Sequence, residues 1–346
     1  MVAIAKIGWS VMGTGTIATE HMVAAIRAFG HEPLWVVSRN REYANFFSED
    51  LDIPNRSTEA NRAVGDPSVS FIYVSATRDR RKHYIAAAAG ACKDVLCDGP
   101  IAGNAKIASS LIERCQRSGV ALIVNQPPRA STIHQVMQRL VTEGEIGSVK
   151  SVLVIRGGPY HPVPTRRSEY APVEGDASLD TCVEDIDLGR FLTGANPLEV
   201  SALATRHGEG SGGQLAYAVY MSNNIVLQAY ESFTTADMES LVMVAGDEGV
   251  LIANGTLNGR GTGTLIRRID GRNELIPVRE RDPYLAVVEG FTASLRRKNS
   301  WLADGQDNLI ALRTAEAVAQ AVKKRRSIVL EGVTPPQSKA DKGVSA

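Results

Sequence analysis

The chain has 346 residues, 44% apolar and 22% charged, the balance of an ordinary globular protein long enough for two domains. Basic and acidic residues number 38 each, so the formal net charge is zero, which excludes a global electrostatic footprint for nucleic acid or an anionic membrane. No apolar run approaches the roughly 20 residues that span a bilayer. Met1 to Lys6 is short and mixed, without a secretory pattern, so a cytoplasmic protein is expected, with reduced thiols at Cys92, Cys97, Cys115 and Cys182.

Short apolar runs and helical patterns alternate through the first third. A strand closes at Val11-Met12, and a helix is predicted over Thr16–Phe29. Strand Pro33–Ser38, helix Arg41–Ser48 and strand Val69–Ser75 follow. Helix Arg80–Ala89, strand Asp94–Cys97, helix Ala105–Ser118 and strand Ala121–Asn125 complete the series. Runs without strict polar alternation suit strands buried on both faces, and strand–helix–strand repetition implies a doubly wound parallel sheet, a Rossmann-type α/β domain. After about Gly147 the chain reads mainly as strands: Val149–Arg156, Val200–Thr205, Gln214–Met221, Ile225–Glu231, Ser240–Ala245, Gly249–Ala253 and Thr262–Ile269. Asn223-Asn224 and Gly246-Asp247-Glu248-Gly249 are hairpin signals, so this second sheet should be open and mostly antiparallel. Helices are predicted at Tyr284–Arg297 and Gly305–Lys324. The domains are expected at 1–126 and 127–333, with a disordered polar tail at 334–346.

Gly13-Thr14-Gly15-Thr16-Ile17-Ala18 follows a predicted strand and opens a predicted helix, the context in which a G-x-G-x-x-G/A match signifies dinucleotide binding. Gly13 makes the tight turn, Gly15 admits a pyrophosphate, and Ala18 keeps helix and strand close. At the end of the second strand NAD enzymes place a carboxylate on the ribose 2′-hydroxyl. Here Val37 is followed by Ser38, Arg39, Asn40 and Arg41. A guanidinium matches a 2′-phosphate, so NADP(H) is favoured, with NAD(H) as the alternative.

Several stretches resemble the glucose-fructose oxidoreductase/inositol dehydrogenase (Gfo/Idh/MocA) family. They are Trp9, the glycine loop, Tyr73-Val74-Ser75-Ala76-Thr77, Val95-Leu96-Cys97-Asp98-Gly99-Pro100, Asn125 with Arg129, Glu143 to Gly147, and Leu179 to Asp187, followed by Phe233-Thr234-Thr235. The resemblance implies cofactor contacts from Ser75, Ala76, Thr77, Pro100 and Asn125. It also implies an oxidoreductase acting on a sugar, cyclitol or related small molecule, and oligomers, a homo-dimer or homo-tetramer, built on the open sheet. Three departures stand out. Where the family usually has Glu-Lys-Pro this chain has Asp98-Gly99-Pro100, where the family often has a histidine it has Glu184, and where the family commonly has Asn-x-x-His after Thr77 it has Arg78 and Arg81.

With lysine and histidine both absent, the proton-transfer candidates are Glu184, Asp98 and Asp180. Asp180, Glu184 and Asp187 share one face if their segment is helical. Burial and like charge would raise the Glu184 pKa toward neutrality. Arg129, Tyr160, His161 and Asp187 are the substrate candidates. Arg78, Arg81, Arg166 and Arg167 could hold an anionic sugar, balance the acidic residues or simply face solvent. His21 fits the cofactor phosphates or the helix surface. No metal site is expected. Two other readings stay open: a cofactor-binding protein without hydride transfer, and a redox-neutral lyase or epimerase.

Overall fold

A computed structural model describes residues 7–15, 18–157, 177–205, 213–232, 235, 237–257, 262–295 and 301–330. The first domain alternates β1 (Gly8–Met12), α1 (Val23–Ala28), β2 (Glu32–Val37), α2 (Arg41–Asp50), β3 (Asn55–Ser57), α3 (Ala60–Val64), β4 (Val69–Val74), α4 (Arg78–Gly90), β5 (Asp94–Asp98), α5 (Ala105–Arg117) and β6 (Leu122–Asn125). Two short helices, α6 (Pro127–Ala130) and α7 (Thr132–Thr142), lead to the second sheet. There β7 (Val149–Gly157) precedes α8 (Ala177–Thr193). After it come β8 (Pro197–Ala204), β9 (Gln214–Met221), β10 (Ile225–Ser232), β11 (Leu241–Gly246), β12 (Val250–Asn254), β13 (Thr264–Ile269) and β14 (Arg272–Ile276). The chain ends in α9 (Pro283–Ser294), β15 (Ala303–Asp304), α10 (Gly305–Lys324) and β16 (Ile328–Val329).

The first sheet runs β15-β6-β5-β4-β1-β2-β3, parallel except for β15. All five residues of β1 are buried, as a strand covered by helices on both faces must be. The second sheet runs β14-β13-β12-β11-β7-β10-β9-β8-β16 and is antiparallel except where β10 lies parallel to β7. Along β9, Tyr217, Val219 and Met221 are buried while alternate residues are not, the period-two pattern of a sheet packed on one face only. Asn223 and Asn224, both at positive φ (62° and 60°), make the β9–β10 turn, as their residue type foretold.

The elements β3, α3, α6, α7, β14, β15 and β16 were not expected from sequence, and α8 only conditionally; β3, α3, α6, β15 and β16 are too short to show a period, whereas α7 is amphipathic and could have been read from its apolar spacing. The sequence also predicts an ordinary helix after the glycine loop. Its first described turn, Ala18–Met22, is instead a π-helix that passes into α1. The chain also returns to the first domain late. β15 pairs with β6, and α9 lays Phe291 against Trp9 and Phe71, with ring centroids 5.3 and 5.2 Å away respectively. An aromatic cluster thus fastens α9 to the first sheet.

Candidate active site

The glycine loop is pinned from both sides. Gly13 donates to Val37 O at 2.8 Å and Gly15 to Ser75 O at 3.3 Å, the ends of β2 and β4. Gly13 has φ +105°, and a Cβ there would lie 2.0 Å from Ser75 O. A Cβ on Gly15 would lie 2.8 Å from the Ser75 hydroxyl. Ala18 is fully buried beneath the turn. Only glycine fits both positions, and the cradle they leave suits a pyrophosphate. Gly13→Ala is therefore expected to weaken dinucleotide binding roughly 10–100-fold, from about 1–3 kcal/mol of imposed strain. Unchanged affinity in a fluorescence titration with NADPH and NADH would remove the loop from the cofactor site. Ser38 is buried with its N–H on Ser57 O, while Arg39 projects exposed from the end of β2. Asn40 caps α2, accepting from the N–H groups of Glu42 and Tyr43. Thr77 precedes α4 and donates its hydroxyl to Asp79 at 2.5 Å, and the carbonyl of Ala76 accepts from Arg81 Nε at 2.8 Å.

Asp98 ends β5 and is buried. Both its oxygens lie 2.9 Å from the Tyr73 hydroxyl, and one accepts from Asn125 Nδ2 at 3.0 Å. Asn125, expected at the cofactor, thus gives its amide to Asp98. The next peptide, Gly99–Pro100, is cis, and the Pro100 carbonyl accepts from Arg81. At Gly99 a Cβ would come within 3.0–3.1 Å of the Gln126 carboxamide. Gln126 fills the space beside residue 99 and is itself buried, with Nε2 lacking a hydrogen-bond partner among the described residues.

The acidic stripe of α8 changes character along its length. Asp180, at the open end, pairs with Arg78 of α4 at 3.4 Å. One turn on, Glu184 has 27% of its side chain exposed and lies 3.1 Å from Arg156 of β7. Burial pushes Glu184 up to about 7, with Asp185 and Asp180 adding to the rise and Arg156 opposing it. Tyr284, at the start of α9, stacks on His21 with centroids 4.4 Å apart and planes 7° apart. Its phenol is raised to about 12 by burial first, then by the charges of Asp98, Asp282, Glu184 and Glu20. Tyr284 thus lies within the field of both acid candidates, and His21 belongs to that aromatic stack.

"Oxidoreductase family, NAD-binding Rossmann fold" matches residues 7–126, and "GFO/IDH/MocA C-terminal domain" matches residues 134–252. The chain belongs to the Gfo/Idh/MocA oxidoreductase family. It is 28% identical over 93% of its length to the 1,5-anhydro-D-fructose reductase of Ensifer adhaerens, covering 98% of that protein. To the myo-inositol 2-dehydrogenase of Thermotoga maritima it is 24% identical, again over 93% of this chain and 98% of the relative. Among solved structures, an aldose-aldose oxidoreductase from Caulobacter crescentus complexed with glycerol superposes with a TM-score of 0.83 at 20% identity, covering 94% of this chain and 100% of that one. A levoglucosan dehydrogenase complexed with NADH and levoglucosan superposes at 0.81 with 14% identity, over 94% and 100%.

Within this Gfo/Idh/MocA fold, two of the expected substrate contacts are turned inward. Arg129 and Asp187 form a two-pronged ion pair, 2.7 Å on each arm, with side chains only 6% and 1% exposed. The remaining Arg129 nitrogen lies 3.2 Å from Asp307 and 3.3 Å from Trp301 O, and the guanidinium stands 5.2 Å over the Phe191 ring. Four of the five N–H donors of Arg129 are thus taken by protein groups. Asp187 shares the helix face of Asp180 and Glu184, as the spacing foretold, but lies two turns, about 10 Å, beyond Asp180 along the axis and under one turn beyond Glu184, where it meets Arg129 of α6. Tyr160, His161, Arg166, Arg167, Thr16 and Ile17 lie outside the described residues. The sequence reading passed over Arg156, Asp185, Glu231, Gln126 and Tyr284. Isolated polar residues on strands and helix starts carry no motif.

Proposed function

We propose that the protein is an NADP(H)-dependent oxidoreductase that interconverts a carbonyl and a hydroxyl on a sugar, cyclitol or related small polyol, with Glu184 as its proton-transfer group. The carrying observation is Glu184 itself: a partly exposed carboxyl in the middle of α8, 3.1 Å from Arg156, which burial pushes up to about 7. A group with that pKa both gives and takes a proton at neutral pH, the range in which general acid–base catalysis is most effective. When bound, the nicotinamide would supply or accept the hydride. Gly13, Thr14, Gly15 and Ser75 would hold its pyrophosphate, and Ala76, Thr77 and Pro100 would line the nicotinamide end. Asp98, with both oxygens engaged by Tyr73 and Asn125, suits a fixed acceptor orienting that wall better than a proton donor.

Among the described residues, Arg78, Arg81, Arg129 and Arg156 all have protein partners, which supports an uncharged substrate. The names of the relatives, which concern anhydrofructose, inositol and aldoses, accord with a polyol. Exposed Leu203 and Tyr220 on the open sheet support a homo-oligomer assembled through that face.

The test is NADPH and NADH titration by fluorescence, followed by absorbance assays at the reduced-nicotinamide band against sugars, cyclitols and sugar acids. Substrate-dependent NADPH oxidation is the expected result; dinucleotide binding without turnover across the panel would point to a binding protein. Arg39 provides the cofactor test. Arg39→Ala is expected to weaken NADPH binding about 10–100-fold, from roughly 1.5–3 kcal/mol for a hydrogen bond to a charged group, and to leave NADH binding unchanged. Equal loss for both dinucleotides would refute the 2′-phosphate assignment.

A further inference from the structure

Behind Glu184 lies a closed polar cluster that the reaction above does not call on. Arg156 on β7 and Glu231 on β10 are direct register partners, so both project from the same face of the sheet toward α8. That helix answers with Thr181, Glu184 and Asp185, spaced i, i+3, i+4. Arg156 Nε donates to Asp185 Oδ1 at 2.5 Å, while its terminal nitrogen lies 3.1 Å from Glu184 Oε2. Thr181 donates its hydroxyl to Glu231 Oε2 at 2.5 Å. Asp185 and Glu231 are both fully buried, and Asp185 Oδ2 and Glu231 Oε1 have no hydrogen-bond partner among the described residues. One guanidinium therefore faces three carboxyl groups.

We propose that Arg156 is a positioning residue for Glu184, its charge divided between a permanently ionised Asp185 and the partly exposed Glu184, with Glu231 stored behind them as a neutral acid. This inference rests on the reading of Glu184 as the proton-transfer group. Burial raises the Asp185 carboxyl and Arg156 opposes that rise; Asp185 carries the charge because it alone takes a short, aligned hydrogen bond from the guanidinium. Glu231 keeps its proton because its single donor is a hydroxyl, too little to hold a dry carboxylate ionised. Burial, followed by the Asp185 charge, drives it well above the usual carboxylate range. Of the three carboxyl groups, Glu184 alone is partly exposed among the described residues, so it is where the cluster exchanges a proton. Dividing Arg156 with Asp185 keeps Glu184 from being locked as a carboxylate.

Other groups facing the cluster leave that division intact. Asp180, on the same helix, is paired with Arg78 of α4. From α9 comes Tyr284, and from β9 comes Tyr217, whose phenol burial keeps protonated. His134 of α7 is neutral, since burial pushes it down to about 4. From α6 and α10, Arg129 and Asp307 are tied to each other and to Asp187 and Arg190.

The test reads the Glu184 carboxyl directly. Full-length protein labelled with ¹³C at glutamate carboxyls is titrated by NMR without cofactor or substrate, and Glu184→Gln assigns the resonance. Asp185→Asn, which can still accept from Arg156, frees the guanidinium for Glu184 and should move the midpoint acid-ward by about one pH unit, the lower end of the effect of one adjacent charge. Glu231→Gln replaces a neutral acid with a neutral amide and should leave the midpoint in place. Arg156→Gln, where it folds, should move the midpoint alkaline, and the pH limb of turnover should move with each midpoint. A merely structural cluster would change stability without these opposite signs. An unmoved midpoint in Asp185→Asn, or an equal acid shift in Glu231→Gln, overturns the proposal. Because the titration needs no turnover, it stands apart from any failure of Glu184 as the catalytic acid.

Discussion

Glu184→Gln should lower kcat about 10²–10⁴-fold, the usual contribution of a positioned general acid or base, while NADPH affinity stays at the parent value. Glutamine keeps the size and the contact with Arg156 but has no proton to exchange. The parent enzyme should show a pH dependence of matching sign. Reduction of a carbonyl needs a proton donor, so Glu184 must start protonated; activity in that direction is full below about 7 and falls as pH rises through it. Oxidation of a hydroxyl needs the carboxylate and shows the reverse limb. Parallel steady-state profiles of both directions check this. A variant that keeps parent kcat, or one that loses activity but retains the limb, would move the proton-transfer role to Asp98 or to a residue outside those described.

Arg129→Met should cost about 3–5 kcal/mol of folding stability, the penalty for leaving a buried charge without its partner. Asp187 is 1% exposed and loses a two-armed ion pair, and Asp307 loses one of its two arginines. Replacing both members, as in Arg129→Met with Asp187→Leu, should recover most of that loss, because a packed apolar pair avoids the desolvation the ion pair had to offset. Urea unfolding of the single and double variants measures the difference. If Arg129→Met unfolds like the parent but binds substrate more weakly, Arg129 is a substrate contact after all. No such effect is expected from Arg78, whose Asp180 partner is 42% exposed and well screened.

The features readable from sequence are those that local chemistry dictates. Glycine at 13 and 15 is demanded by a turn that no Cβ can enter, and the apolar runs of β1, β4 and β5 are demanded by burial on both faces. The hairpin at Asn223-Asn224 and the helix Gly305–Lys324 follow from turn chemistry and periodicity. The order of these elements sufficed for two α/β domains and a dinucleotide cradle, and the acidic stripe on α8 was visible as an i, i+4, i+7 pattern. What each acid does along that stripe was decided only in three dimensions. Asp180 meets Arg78, Glu184 meets half of Arg156, and Asp187 meets Arg129, and those partners come from a helix, a strand and a short helix that no spacing rule links to α8. Arg156 and Asp185 are 29 residues apart in the chain and Thr181 and Glu231 are 50 apart, yet they share one dry cluster. A side chain's type is local, but its charge state and its freedom to meet a ligand depend on which distant groups pack around it and how much water they exclude.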